Sequence, residues 1–176
     1  MIRKPEAINI RDCTLDDAQI IVNIYNESIM AGDSTMDDEI KSADYFRNLI
    51  SHFNNRETIL IIEVNEHVVG WGIIKRYSDR AGYRYCCETS VYLWRNQTGK
   101  GYGTTMKLAL IERCKAYHYR HLVAKILAEN TGGIAYNQRL GYEIVGTQKE
   151  IGYKNGRWQD VTIMQLILDD VEPEDS

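Results

Sequence analysis

Apolar positions along the chain follow two rhythms, alternate and every three to four residues, and the switches between them outline the elements. Residues 8–11 read as a short strand. Thr14 and Asp17, three apart, form a capping-box-like start for a helix running to about residue 29, with Ile20, Ile21, Ile24, Tyr25 and Ser28 near one face. The polar stretch MAGDSTMDDE, with Gly32, predicts a loop before a second helix over residues 42–53. TILIIEV and VVGWGIIKR, separated by NEH, predict a hairpin of strands over residues 58–64 and 68–76.

A further strand over residues 83–93 runs into QTGKGYGTT, and a helix over residues 104–117 follows, with Met106, Leu108, Ala109, Leu110, Ile111 and Cys114 at helical spacing. Residues 121–129 read as a strand and residues 132–140 as a helix stopped by Gly141. Two last strands, residues 143–154 and 160–168, are joined by the turn NGR. The order β-α-α-β-β-β-α-β-α-β-β predicts a mixed α/β sheet whose central unit is strand, glycine loop, helix, strand. Residues 1–168 form a single domain in this reading, and 169–176 an acidic tail.

Composition narrows the partners. With 176 residues, 44% of them apolar, the chain suits one sizeable core, and a net charge of −4 argues against a nucleic-acid footprint. The expected partner is a small molecule or another protein. A signal-peptide core and an apolar run of membrane-spanning length, about 18 residues, are both lacking, so no membrane association and a cytoplasmic location are expected. Cys13, Cys86, Cys87 and Cys114 lack metal-ligand spacing and read as reduced packing thiols; no metal is expected.

The glycines at 99, 101 and 103 miss the G-x-G-x-x-G dinucleotide spacing. Aligned on Gly99 and Lys100, a P-loop would need its first glycine at Trp94 and its Ser/Thr at Gly101, so that motif fails too. What remains is a glycine loop at a helix N-terminus, where free N–H groups and the helix dipole favour an anion such as a pyrophosphate. A turn without a ligand is the other reading of the loop taken alone.

With the preceding ETSVYL and the later NTGGIAYNQRLGY, the loop resembles the GNAT superfamily of N-acetyltransferases. RAGYRYCCETSVY and GYKNGRWQDVTIMQ narrow the resemblance to the phosphinothricin acetyltransferase family, over nearly the whole chain. The resemblance implies a mixed, mostly antiparallel sheet with a central β-loop-α-β acetyl-CoA unit and flanking helices. It implies that amides of Thr98, Gly99, Lys100, Gly101, Tyr102 and Gly103 hold the pyrophosphate of acetyl-CoA, although Thr98 replaces the family's Gln or Arg. Thr89, Ser90, Val91 and Tyr92 would pair with the pantetheine, an N–H near Val91 or Tyr92 polarising the acetyl carbonyl, and Asn130 would bond the same arm.

By the same resemblance Glu88 is the general base. The family's general-acid position holds Asn137, which is no proton source, so Asn137 by hydrogen bonding, the adjacent Tyr136 or water would serve the leaving thiolate. Thr35 and Met36, in a segment with Asp37, and Tyr77, Arg80, Tyr83 and Arg84 would surround the acceptor, the arginines pairing with its carboxylate. Around the NGR turn a packed Trp158 and an Arg157–Asp160 pair are expected, with Lys154 or Trp158 at the pocket or a dimer contact. The implied activity is acetylation of the primary amine of a small amino-acid-like molecule such as phosphinothricin, methionine sulfoximine or methionine sulfone, by a homodimer. Another amine (polyamine, antibiotic or protein N-terminus) and a non-catalytic CoA-binding module are the alternatives; Arg80 and Arg84 disfavour a polycation.

Overall fold

In the computed structural model, which describes residues 6–174, the strand of TILIIEV explains the layering. This strand, β2 (Thr58–Val64), sends Ile59 and Ile61 into one core and Leu60 and Ile62 into another, on opposite faces of one sheet. A strand covered on both sides needs apolar residues at consecutive positions, which is why no alternation is visible in it.

The sheet has seven strands in the order β1-β2-β3-β4-β5-β7-β6. β1 (Ile8–Asp12), β2, β3 (His67–Arg76) and β4 (Cys86–Leu93) are successive antiparallel neighbours. β5 (His121–Leu127) joins β4 in parallel, and β7 (Arg157–Ile167) and β6 (Glu143–Lys154) extend the sheet antiparallel. Helices α1 (Ala18–Ala31) and α2 (Ala43–Ser51) cover one face, α3 (Tyr102–Ala116) the other, and α4 (Thr131–Arg139) links β5 to β6. The expected mixed, mostly antiparallel sheet with flanking helices is the observed one. Among the described residues no helix is long and apolar enough to cross a membrane.

Local chemistry sets the limits of the elements. Asp17 accepts from the backbone N–H of Thr14 at 2.7 Å, opening a 3₁₀ turn, Leu15–Asp17, that leads into α1. The strand expected from residue 83 starts at Cys86, because Ala81–Tyr83 forms a 3₁₀ turn in which Tyr83 N–H donates to Arg80 O. The strand expected to reach residue 129 stops at Leu127, whose carbonyl accepts from Asn130 N–H in a turn. β7 starts at Arg157, since the turn needs only Asn155 and Gly156, both left-handed at φ 55° and 73°. α3 begins at Tyr102, two residues ahead of its expected start.

The joint between β4 and β5 shapes the molecule's centre. It is parallel and runs for three residue pairs, the last of them Glu88 with Val123. Beyond that pair the strands part and a cleft opens between them, lined by Thr89–Tyr92 on one side and Ala124–Ile126 on the other. Close packing of α3 on β3 depends on Gly72, where a Cβ would stand 2.7 Å from the Leu110 side chain.

Candidate active site

Alternation along β4 divides its side chains between the two faces. Cys87 and Val91 join the core beneath α3, whereas Glu88, Ser90 and Tyr92 line a cavity of about 550 Å³ on the α1/α2 side. Tyr25, Phe46, Trp71 and Tyr92 wall that cavity, with ring centroids 4.7 Å apart for Trp71 and Tyr92 and 4.9 Å for Tyr25 and Tyr92. Two lysines reach the same place. Lys75 lies directly across from Glu88 in the β3–β4 register, and Lys125 Nζ stands 3.0 Å from Glu88 Oε2. A carboxylate able to take a proton from an ammonium group, cations able to meet a carboxylate, and an aromatic wall together suit a small zwitterion.

The loop after α1 closes one side. Thr35, Met36 and Asp37 line the cavity, and the Tyr25 hydroxyl bonds both Thr35 Oγ1 and the Asp37 carboxylate. Burial raises the Tyr25 phenol well above its ordinary range, so it remains a donor. Behind the loop Lys154, 2% exposed, donates to the Thr35 carbonyl. Lys154 thus braces the cavity wall from β6. Trp158 is 61% exposed, resting edge-on against Tyr153, and Arg157 pairs with Glu129 at 2.6 Å; Asp160 accepts from Lys149 and from the Glu150 N–H instead. The packed Trp158 and the Arg157–Asp160 pair expected from sequence are therefore replaced by a surface stack and a link to the β5–α4 turn.

On the other side of Glu88 the cleft between β4 and β5 has a volume of about 160 Å³. Thr89, Ser90, Val91, Tyr92, Asn130, Tyr136 and Asn137 all line it. Asn130 caps α4, its Oδ1 accepting from Gly133 N–H at 2.9 Å, which leaves its amide hydrogens for a ligand. Asn137 donates to Gly133 O at 2.9 Å. Its Oδ1 and the Tyr136 hydroxyl are buried with no partner among the described residues, and burial pushes Tyr136 up to about 12. Orphaned polar atoms beside strand edges that have lost their ladder fit an extended, amide-bearing arm such as pantetheine.

The glycine loop follows β4 and does not itself line this cleft; in it Gly99 and Gly101 hold φ of 74° and 88°, and Gly101 caps α3. Only glycine takes such angles without strain, and they place the loop's N–H groups at the helix N-terminus. Tyr102 turns away, buried, with its hydroxyl 2.8 Å from Glu6, so only its backbone faces the loop; Lys100 Nζ donates to Gln97 at 3.1 Å and Thr98 Oγ1 to Arg95 O at 2.8 Å. Gly103 packs near the Tyr136 ring, with the hydroxyl 3.5 Å from where a Cβ would be.

The remaining expected acceptor residues lie elsewhere. Tyr77 and Tyr83 stack edge to face at 5.3 Å and line a second groove of about 710 Å³ over β5 and β7. Arg80 starts the turn between β3 and β4, and Arg84 stacks over Tyr85 and donates to Ala81 O. Among the described residues, the cations lining the 550 Å³ cavity are Lys75 and Lys125.

Lys107 of α3 was not singled out in the sequence, yet it lines the cleft. It is 3% exposed, donates to Thr89 Oγ1 at 2.9 Å and sits 4.6 Å from the centre of the Tyr142 ring; burial lowers it to about 8. The signal was helical spacing, for Lys107 shares the inward face with Leu110, Ile111 and Cys114.

The GNAT acetyltransferase domain family matches residues 10–163. The chain is 34% identical over 166 residues to an L-methionine sulfoximine/L-methionine sulfone acetyltransferase of Pseudomonas aeruginosa, covering 92% of this chain and 95% of that one. It is 30% identical over 172 residues to the L-amino acid N-acyltransferase MnaT of Escherichia coli, covering 95% and 98%. The structure of the Salmonella typhimurium protein yncA with acetyl-CoA superposes with a TM-score of 0.90 at 27% identity, over 97% of this chain and 99% of that one. Seven strands split at β4 and β5, a glycine loop capping α3, and a match over most of the chain converge: the protein is an N-acetyltransferase of the GNAT family.

Proposed function

We propose that the enzyme moves the acetyl group of acetyl-CoA to the primary amine of a small amino-acid-like zwitterion, by direct attack in a ternary complex. One observation carries this reading: Glu88 stands on the last rung of the β4–β5 joint, facing a cavity that also holds Lys75 and Lys125, and the cleft begins at the next residue. The acceptor ammonium gives its proton to Glu88, directly or through water. The freed amine attacks the thioester carbon at the head of the cleft, where an N–H near Val91 or Tyr92 receives the developing oxyanion.

Lys75 meets the acceptor carboxylate in this reading, a task the resemblance gave to Arg80 and Arg84. The Pseudomonas aeruginosa relative's two substrates place a sulfoximine or sulfone on the side chain, which suits the aromatic wall and the Thr35–Asp37 loop. Acceptors of that kind, phosphinothricin included, come ahead of polyamines. A second copy of the chain is proposed to pack on β6, a long edge strand exposing Ile144, Val145, Ile151 and Tyr153. Free thiols and the co-substrate suit the cytoplasm.

Thiol release measured against amino acids, their sulfone, sulfoximine and phosphinic analogues, and polyamines tests this. The amino-acid analogues are expected to react fastest, and Glu88→Gln to lower turnover by about 10²–10⁴-fold near neutral pH, with a smaller loss at high pH where the amine is already neutral. Preference for polyamines, or acetyl-CoA binding with no transfer to any amine, would replace this reading with one of its alternatives. An unchanged rate in Glu88→Gln would remove the base.

A further inference from the structure

A buried ammonium group at the head of the cleft has no part in the reading so far. We propose that Lys107 is the proton donor to the thiolate that leaves when the acetyl group is transferred, an inference that rests on the acetyltransferase reading above. Lys107 Nζ is held 2.9 Å from Thr89 Oγ1, and Thr89 is the first β4 residue beyond the last rung, so the amine lies where the cleft begins.

Facing Lys107 are Thr89 and Cys87 of β4, Cys114 of its own helix and the Tyr142 ring after α4, whose hydroxyl lies 3.3 Å from Thr89 Oγ1. Glu88, on the same strand, points to the opposite face and pairs with Lys125, which also borders the cleft. Among the described residues no carboxylate pairs with Lys107, although burying an unpaired charge is costly. An anion formed transiently beside it supplies the missing partner.

The competing donors are weaker. Asn137, at the position where the resemblance expects an acid, spends its amide on Gly133 O and carries no transferable proton. Tyr136, pushed up to about 12, would give its proton to a thiolate uphill by roughly three to four orders of magnitude, taking an ordinary thiol at about 8.5. Lys107, lowered to about 8 by burial, is matched to that thiol.

The step balances. The amine nitrogen forms its bond to the acetyl carbon, the carbon–sulfur bond breaks with its electron pair going to sulfur, and a Lys107 proton follows to give the free thiol. Glu88 passes the two protons lost by the acceptor nitrogen to solvent. One returns from solvent to Lys107, leaving one net proton released.

Three enzymes, native, Lys107→Met and Lys107→Arg, separate this role from packing. In acetylation assays the native rate is expected to fall on the alkaline side near pH 8, and Lys107→Met is expected to lose both that fall and about 10²-fold in rate. Methionine fills a similar volume without a charge to bury, so acetyl-CoA affinity is expected to hold and the variant to unfold no more easily than the native enzyme below pH 8. Lys107→Arg keeps the charge but not the acidity and is expected to stay slow; full recovery of rate would show that charge alone suffices and overturn proton donation.

A second measurement needs no acceptor. Titrating bound CoA by thiolate ultraviolet absorbance is expected to give a thiol about one pH unit lower in the native enzyme than in Lys107→Met. Equal values overturn the proposal. A lowered thiol with no acetylation of any amine would instead strike down the proposed function and leave the contact of Lys107 with the sulfur standing.

Discussion

Glu88 and Lys107 are opposite charges set on opposite faces of β4, and burial treats them differently. Glu88 is partly open to the cavity and has a lysine 3.0 Å away, whereas Lys107 is enclosed and pairs with a hydroxyl. Between the folded value of about 8 and the ordinary 10.5 the unfolded chain binds the proton that folded Lys107 does not, so stability rises with pH across that window. Below about pH 8 the full cost of the buried charge is present. It amounts to about 3 kcal/mol. The native protein is therefore expected to gain stability from pH 8 to 10 relative to Lys107→Met, and urea unfolding of both across that range is the check. Parallel pH profiles would mean that folded Lys107 keeps an ordinary affinity for its proton.

At the scale of elements, the glycine loop and α3 act as one unit. Gly101 sits at φ 88° with open space around a would-be Cβ, so Gly101→Ala meets no clash but does meet left-handed backbone strain of about 1–2 kcal/mol. Relieving that strain would turn the loop's N–H groups away from the helix axis. Gly101→Ala is expected to raise KM for acetyl-CoA several-fold with little change in kcat, read from initial rates with acetyl-CoA varied; a fall in kcat alone would detach the loop from cofactor binding. Helices and strands were legible because periodicity is local: Ile21, Ile24, Tyr25 and Ser28 are buried on one side of α1 as their spacing implies. The start of β4 was not, since YRY has strand character and only the Arg80 and Ala81 carbonyls, taken up by a turn, prevent it. The lysines flanking Glu88 were also hidden. Lys75 and Lys125 lie 13 residues before and 37 after it, and meet it through strand register, which no local pattern carries. Arg80 and Arg84 were close in sequence, but the turn that carries them leads away from the cavity.

Taken whole, the molecule is two blocks of sheet, β1–β4 and β5–β7–β6, joined along a seam of three rungs. Elsewhere each strand's backbone is tied along most of its length; here the ladder is abandoned where the proposed reaction brings the two substrates together. The family's fold could be read from ETSVYL, the glycine loop and NTGGIAYNQRLGY, yet the seam itself could not, because a missing rung is a relation between residues more than thirty positions apart. A bound acetyl-CoA arm would lie in the seam as a strand made of a different polymer, supplying amide partners to both blocks. The small molecule is then a structural member as well as a reagent, and enzyme without it is a sheet one strand short. Saturation at about 100 times Kd is expected to add about 2.7 kcal/mol to stability. Amide exchange should slow most in residues 89–92 and 124–126, on the two banks of the seam; protection spread evenly over the sheet would show that the blocks are already locked. On this view each turnover takes out and replaces a strand, and the enzyme is at its loosest in the interval between releasing CoA and binding the next acetyl-CoA.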